Sequence, residues 1–126
     1  MTERCRVLLV EDDGELRDAI GRALESEGYE VLLGSDGEEA FAHLKAGVRP
    51  CVILLDLMMP GMDGWRFMEE VRLHPGFRRL PIVVVSAYGT PDGVRSLGAA
   101  GYLKKPFGLD TLLDVVSHHC PAPAAP

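Results

Sequence analysis

Residues 52–64 read VILLDLMMPGMDG, in which four apolar residues are followed at once by an aspartate, Asp56, and then by a loop rich in methionine and glycine. An apolar run of this length is typical of a strand buried on both faces of a parallel sheet. An ionised carboxylate is costly there unless other groups pair with it. Asp56 therefore marks either a strand end that meets solvent or a place where further charged groups converge.

The rest of the chain alternates between apolar runs and amphipathic segments. We expect strands over residues 6–10, 30–33, 51–55 and 82–85 and around 102–103, each followed by a helix. Leu16, Ile20 and Leu24 recur at the four-residue spacing of a helix face, and the third and last helices are expected over 65–73 and 110–119. Five repeats of strand then helix predict an α/β fold with an open parallel sheet covered by helices on both faces.

Composition limits the classes of function that the chain can have. Its 126 residues are 47% hydrophobic and 25% charged, as in a single soluble globular domain. A net charge of -6 argues against nonspecific binding to nucleic acid or to an anionic membrane. The apolar runs are too short to span a bilayer, and the first residues lack the apolar core of a signal peptide, so we expect a cytoplasmic protein. We expect one domain over 1–120 and a linker-like tail, PAPAAP, over 121–126.

The cysteines and the paired histidines carry little functional signal. Cys5, Cys51 and Cys120 form an odd and sparse set that does not indicate a disulfide framework, and we expect buried thiols at Cys5 and Cys51. His118, His119 and Cys120 do not indicate a metal site, because adjacent residues on a helix point in different directions and no fourth ligand is near in sequence.

Charged and polar residues follow the predicted strands at the edge where an open parallel sheet binds its ligands. Carboxylates that share this edge repel each other, and a divalent cation removes that cost. Oxygen ligands without clustered cysteine or histidine indicate a hard ion such as Mg²⁺. A metal beside an aspartate and a lysine suits phosphoryl transfer. The residues at this edge are Glu11, Asp12, Asp13, Asp56, Ser86, Lys104 and Lys105.

Four segments in combination closely resemble the receiver domain of two-component response regulators of the chemotaxis-type, single-domain architecture. They are VEDD (10–13), LLDLMMPGMDG (54–64), VVVSA (83–87) and YLKKPF (102–107), and the resemblance extends from residue 6 to 119. It implies a flavodoxin-like, doubly wound sheet of five parallel strands in the order 2-1-3-4-5. It also implies a switch phosphorylated by a sensor histidine kinase or phosphotransfer protein, not an enzyme, whose altered surface binds an unidentified downstream effector.

The resemblance assigns a phosphoacceptor and a metal site. Asp56 is expected to accept the phosphoryl group. Mg²⁺, or in its place Mn²⁺, is expected to be bound by Asp12, by Asp56 and by the backbone carbonyl of Met58, with Glu11 acting through water. No partner of the nucleic acid or membrane class is implied by these residues.

The resemblance also assigns the groups around the phosphoryl site. Lys105 and Ser86 are expected to bind phosphoryl oxygens, and Ser86 and Tyr102 to form the switch that alters the fourth helix, fifth strand and fifth helix. Met58 and Tyr88 each lie two residues beyond a site residue, and we expect their side chains to rim the pocket.

Several neighbouring residues have simpler interpretations. Asp13 is expected to cap the first helix instead of binding metal, Asp63 to be a turn or cap residue, and Lys104 to be a solvated neighbour of the site. The Lys105–Pro106 bond is expected to be cis, as the resemblance suggests. The segment 86–105 is about three residues shorter than is usual in receivers and contains several glycines, so we expect a short or partly irregular fourth helix.

Two other functions fit the same residues. A Mg²⁺-dependent phosphohydrolase that works through an aspartyl phosphate usually carries a second carboxylate two residues after the nucleophile, and this chain has Met58 there. A degenerate receiver that serves only as a docking scaffold usually lacks some of the site residues, whereas this chain retains them all.

Overall fold

A computed structural model describes residues 5–119. Five strands alternate with five helices along the chain. The strands are β1 (Arg6–Val10), β2 (Glu30–Gly34), β3 (Val52–Leu55), β4 (Ile82–Ser86) and β5 (Gly101–Lys104). The helices are α1 (Gly14–Ser26), α2 (Gly37–Lys45), α3 (Gly64–Leu73), α4 (Pro91–Ser96) and α5 (Leu109–His119).

The five strands form one parallel sheet in the order β2-β1-β3-β4-β5, which confirms the predicted topology. Strand β3 lies at the centre, and all four of its residues are buried. Its last residue, Leu55, pairs with Val10 of β1 on one side and with Val84 of β4 on the other. The residues after these pairs therefore emerge side by side at the carboxyl edge of the sheet.

Helices cover both faces of the sheet because successive side chains of a strand point to opposite sides. Leu8, Ile53 and Val84 belong to the core cluster that contains the buried residues of α2, α3 and α4. Val7 and Leu54 belong to a second cluster with the buried residues of α1 and α5. This arrangement confirms the doubly wound, flavodoxin-like α/β fold that we predicted.

Side-chain caps set the beginnings of the first three helices. The carboxylate of Asp13 accepts a hydrogen bond from the amide of Leu16 at the start of α1 (3.2 Å), and Asp36 caps α2 in the same way (2.8 Å to the amide of Glu39). Asp63 caps α3, as predicted. Each carboxylate satisfies an amide that has no partner within its helix.

The fourth helix is short, as predicted. Helix α4 has six residues, begins after the N-cap Thr90 and places a single side chain, Val94, in the core. Gly98 follows with a φ of +97°, a left-handed conformation that glycine adopts without strain. A helix of this length has few internal hydrogen bonds and depends on what packs against it.

The state of Cys51 differs from the prediction made from the sequence. Cys51 is disulfide-bonded, so our expectation of a buried thiol there is wrong, while Cys5 is half-buried at the start of β1. The predicted tail over 121–126 and Cys120 lie outside the described residues. No helix among residues 5–119 has both the length and the apolar composition that crossing a bilayer requires.

Candidate functional site

The sheet register brings the ends of four strands, β1, β3, β4 and β5, together at the carboxyl edge. The amide of Asp56 donates to the carbonyl of Val10 at 3.0 Å, which ties the end of β3 to β1. The amide of Lys105 donates to the carbonyl of Ser86 at 3.0 Å, which ties the end of β5 to β4. Because these contacts are part of the backbone ladder, the side chains beyond them are held at fixed positions.

Three carboxylates converge at this edge. One oxygen each from Glu11, Asp12 and Asp56 lies within 4.8 Å of the other two. Glu11 and Asp56 are buried, with 2% and 6% of their surface exposed, whereas Asp12 is exposed. The donor set consists of oxygen alone and is open to solvent on the Asp12 side. It therefore suits a hard cation that keeps part of its water shell, such as Mg²⁺.

Lys105 provides the positive charge of the site. Its ammonium lies 2.5 Å from a carboxylate oxygen of Glu11 and 3.4 Å from one of Asp56. Burial alone would lower the pKa of Lys105, but its hydrogen bond to Glu11 and the charges of Glu11 and Asp56 outweigh burial and raise that pKa. Lys105 is therefore fully charged at neutral pH and available to an anion.

The ionised form of Glu11 is destabilised in this site. Burial raises the pKa of Glu11 to about 7, the charge of Asp56 acts in the same direction, and hydrogen bonds from Lys105 and from the Asp13 amide oppose it. One lysine thus does not fully compensate the buried acids. A divalent cation bound by these carboxylates would supply the missing charge, so the residues present fit the ion that we predicted.

Ser86 and Tyr102 meet at the loop that follows β4. Ser86 is fully buried, and its hydroxyl accepts a hydrogen bond from the amide of Tyr88 at 3.1 Å. The half-buried Tyr102 directs its hydroxyl at the backbone carbonyls of Ser86 (3.4 Å), Tyr88 (3.2 Å) and Gly89 (3.2 Å). Ser86 and Tyr102 therefore both form hydrogen bonds with the backbone of the same loop.

The loop after Asp56 is closely packed at one point and open at another. The amide of Gly64 donates to the carbonyl of Leu57 at 2.9 Å. A Cβ on Gly64 would lie 2.7 Å from the Cα of Leu57 and closer still to the carbonyl oxygen of Asp56, so only glycine fits there. Met58, by contrast, is 48% exposed, and Tyr88 is 55% exposed across the site. Both side chains are thus accessible to solvent, and their place at the rim of the pocket stays a prediction.

Two further predictions concern the residues next to Lys105. The Lys105–Pro106 bond is cis, as predicted. Lys104 is exposed, and no ion pair involves it among residues 5–119. Sequence reasoning missed Arg17, whose guanidinium donates to the carbonyl of Glu11 at 2.9 Å. No motif marks Arg17, and only its place in the first turn of α1 beside the acidic segment would have indicated the contact.

The fold and the site together define a class: a doubly wound α/β domain with acids, a hydroxyl and a lysine at the carboxyl edge of its sheet. The family model of the response regulator receiver domain matches residues 7–117, so the chain belongs to this family of two-component signalling domains. The receiver domain family binds Mg²⁺ in an acidic pocket, which corresponds here to Glu11, Asp12 and Asp56.

Relatives and solved structures agree with this membership. The chain is 36% identical over 115 residues to the regulatory protein AtoC of Escherichia coli, covering 89% of this chain and 24% of that protein. It is 40% identical over 111 residues to the response regulator MprA of Mycolicibacterium vanbaalenii, covering 86% and 47%. The chain thus spans between about a quarter and a half of these relatives.

Among solved structures, the chemotaxis protein CheY4 of Vibrio cholerae has a TM-score of 0.84 and 32% identity, covering 93% of this chain and 99% of that one. A putative response regulator from Chloroflexus aurantiacus has a TM-score of 0.85 and 31% identity, covering 92% and 97%.

Proposed function

We propose that this receiver domain is a phosphorylation-operated switch in which Asp56 is the phosphoacceptor. The observation that carries the proposal is the position of Asp56, a nearly buried carboxylate at the end of the central strand, 3.4 Å from the ammonium of Lys105. A phosphoryl group on Asp56 would lie between the carboxylates of Glu11 and Asp12 and the hydroxyl of Ser86.

The chemistry follows from this placement. A carboxylate oxygen of Asp56 attacks the phosphorus of a phosphohistidine on a histidine kinase or phosphotransfer protein, and the phosphorus–nitrogen bond breaks as the imidazole leaves with its electron pair. Lys105 neutralises charge on the phosphoryl oxygens. When bound by Glu11, Asp12, Asp56 and the Met58 carbonyl, Mg²⁺ supplies the remaining positive charge.

The readout of phosphorylation depends on Ser86 and Tyr102. In the described structure the Ser86 hydroxyl is engaged by the amide of Tyr88, and the Tyr102 hydroxyl faces the carbonyls of the same loop. The Ser86 hydroxyl donates a hydrogen bond to a phosphoryl oxygen, which draws the loop toward the site and moves Tyr102 with it. The surface formed by α4, β5 and α5 then changes its affinity for a downstream partner.

Incubation with Mg²⁺ and acetyl phosphate, followed by intact-mass measurement, tests the proposal. We expect one phosphoryl group on the wild-type chain, none on Asp56→Asn, and one on the matched control Asp18→Asn, which alters an exposed aspartate of α1. No labelling of the wild-type chain would favour the docking scaffold instead. Sustained turnover of acetyl phosphate with no lasting label would favour the phosphohydrolase, whose aspartyl phosphate would be hydrolysed as fast as it forms.

A further inference from the structure

The amino end of the sheet, opposite the proposed phosphorylation site, presents four basic side chains. Lys45 ends α2, Arg49 lies in the loop before β3, and Arg78 and Arg79 lie in the loop before β4. All four side chains are exposed. We refer to these four residues as the basic patch.

The basic patch comes from two stretches that contain no acid. Neither residues 40–55 nor residues 71–91 include an aspartate or a glutamate. Within residues 5–119, the ion pairs join other residues, and none involves the patch. The remaining nine basic residues of the chain stand against nineteen acidic ones, a formal net charge of -10 outside the patch. The molecule is therefore strongly asymmetric in charge.

Aromatic rings hold the two loops of the patch together. The rings of Phe41 and Phe77 pack edge to face, with centroids 5.5 Å apart, and the ring of His74 stacks on Phe77 at 3.8 Å. The ammonium of Lys45 lies 5.3 Å from the Phe41 centroid, and the guanidinium carbon of Arg49 lies 5.0 Å from the Phe77 centroid. These cation–π contacts fix part of the patch in place before any partner arrives.

We propose that the basic patch is a docking site for an acidic segment of a partner protein, and that this docking is independent of phosphorylation at the opposite edge. We choose an acidic partner because its charge is complementary to that of the basic patch. Four cations suit a short run of carboxylates, whereas an extended polyanion such as duplex nucleic acid or a lipid surface also meets the field of the -10 remainder. The phosphorylation edge stays open while the patch is occupied.

A fluorescently labelled, glutamate-rich peptide provides the probe, and its binding to the full chain is measured by anisotropy at low and at physiological salt. We expect binding that weakens with salt and that is unchanged after treatment with acetyl phosphate and Mg²⁺. The variant Arg78→Glu/Arg79→Glu should weaken it about tenfold or more. Arg49 is kept, because its guanidinium donates to the carbonyls of Leu44 and Val48 and supports the loop.

The matched control, Arg22→Glu/Arg95→Glu, makes the same change in net charge at exposed positions of α1 and α4. It should bind the peptide within about twofold of the wild-type chain. An equal loss in both variants, or no binding at low salt, would overturn the proposal. Tighter binding to duplex DNA or to phosphatidylserine vesicles than to the peptide would overturn the choice of an acidic protein segment. Acetyl phosphate labelling of both variants verifies that they are folded.

Discussion

Gly64 shows how one residue supports the chemistry without taking part in it. Its Cα lies against the backbone that follows Asp56, and a Cβ there would lie 2.7 Å from the Cα of Leu57. We expect Gly64→Ala to lower the free energy of unfolding by about 1–3 kcal/mol, because neither backbone segment can move away cheaply. The displaced Asp56 should also accept phosphate more slowly. Urea unfolding and acetyl phosphate labelling measure the two effects.

Gly14 provides the comparison for Gly64. It also begins a helix, α1, but a Cβ there would only approach the end of the Arg17 side chain, at 3.6 Å. Gly14→Ala should leave the free energy of unfolding within about 1 kcal/mol of wild type or raise it, since alanine restricts the unfolded chain. Equal losses for the two variants would contradict the packing argument.

Met58 and Tyr88 should control how long the phosphoryl group stays on Asp56. Both side chains are exposed and each lies two residues after a predicted site residue, so we expect them to limit the approach of the water that would hydrolyse the acyl phosphate. Replacing them together, as Met58→Asn/Tyr88→Ser, should shorten the lifetime of the phosphorylated chain. Loss of the added mass with time, measured after removal of acetyl phosphate, gives the rate, and an unchanged rate would rule out this role.

Among the elements, α4 depends most on a contact from elsewhere in the chain. The guanidinium of Arg72, in α3, donates to the carbonyl of Gly98 just after α4 and, at 2.6 Å, to the carbonyl of Arg78. We expect Arg72→Ala to lower the free energy of unfolding by about 0.5–1.5 kcal/mol, because these exposed carbonyls exchange a charged donor for water. Hydrogen exchange of residues 91–99 should become faster, whereas exchange in β3 should follow only the change in global stability.

Arg66→Ala is the control on the same helix. Its guanidinium is exposed, and its one ion pair within residues 5–119 is with Glu70 at 4.0 Å, a type of contact that contributes about 0.5 kcal/mol or less. This variant should leave exchange in α4 unchanged. If Arg66→Ala accelerated exchange there as much as Arg72→Ala, the contact at Gly98 would not be what holds the helix.

Phosphorylation should order the same segment. Helix α4 buries only Val94, so we expect fast hydrogen exchange across residues 89–100 in the unphosphorylated chain. Once Asp56 carries a phosphoryl group, the loop before α4 gains a partner at Ser86, and exchange should slow. Strong protection in both states would show that α4 is not the element that responds.

Patterns that repeat along the chain predicted most of the elements, while contacts between distant residues escaped prediction. The apolar run 52–55 and the apolar positions within 65–73 placed β3 and α3 to within a residue, because strand and helix periodicity is local. The strand order came from the family resemblance. The contact of Arg72 with Gly98 joins residues 26 positions apart, and the exclusion of a side chain at Gly64 depends on Asp56 backbone geometry; neither leaves a local signal.

At the scale of the whole molecule, binding at the acidic edge should be coupled to folding. Only the folded chain brings Glu11, Asp12 and Asp56 together, so Mg²⁺ at about one hundred times its dissociation constant should raise the free energy of unfolding by about 2.7 kcal/mol. Asp12→Asn should remove most of this gain, and Asp18→Asn should retain it. Urea unfolding with MgCl₂ or with NaCl at equal ionic strength measures the difference, and an equal gain in both variants would contradict the assigned site.

The shortness of β3 has a consequence for how such a domain diverges over generations. Four buried residues, about 13 Å of extended backbone, separate the loop that carries Arg49 from Asp56. Substitutions selected for their effect on the surface at the amino end therefore alter residues at the far end of the sheet from Glu11, Asp12 and Asp56. Selection on the chemistry at the carboxyl edge leaves the amino-end surface unchanged. After a gene duplication, one copy can acquire a new binding partner while it inherits the reaction intact.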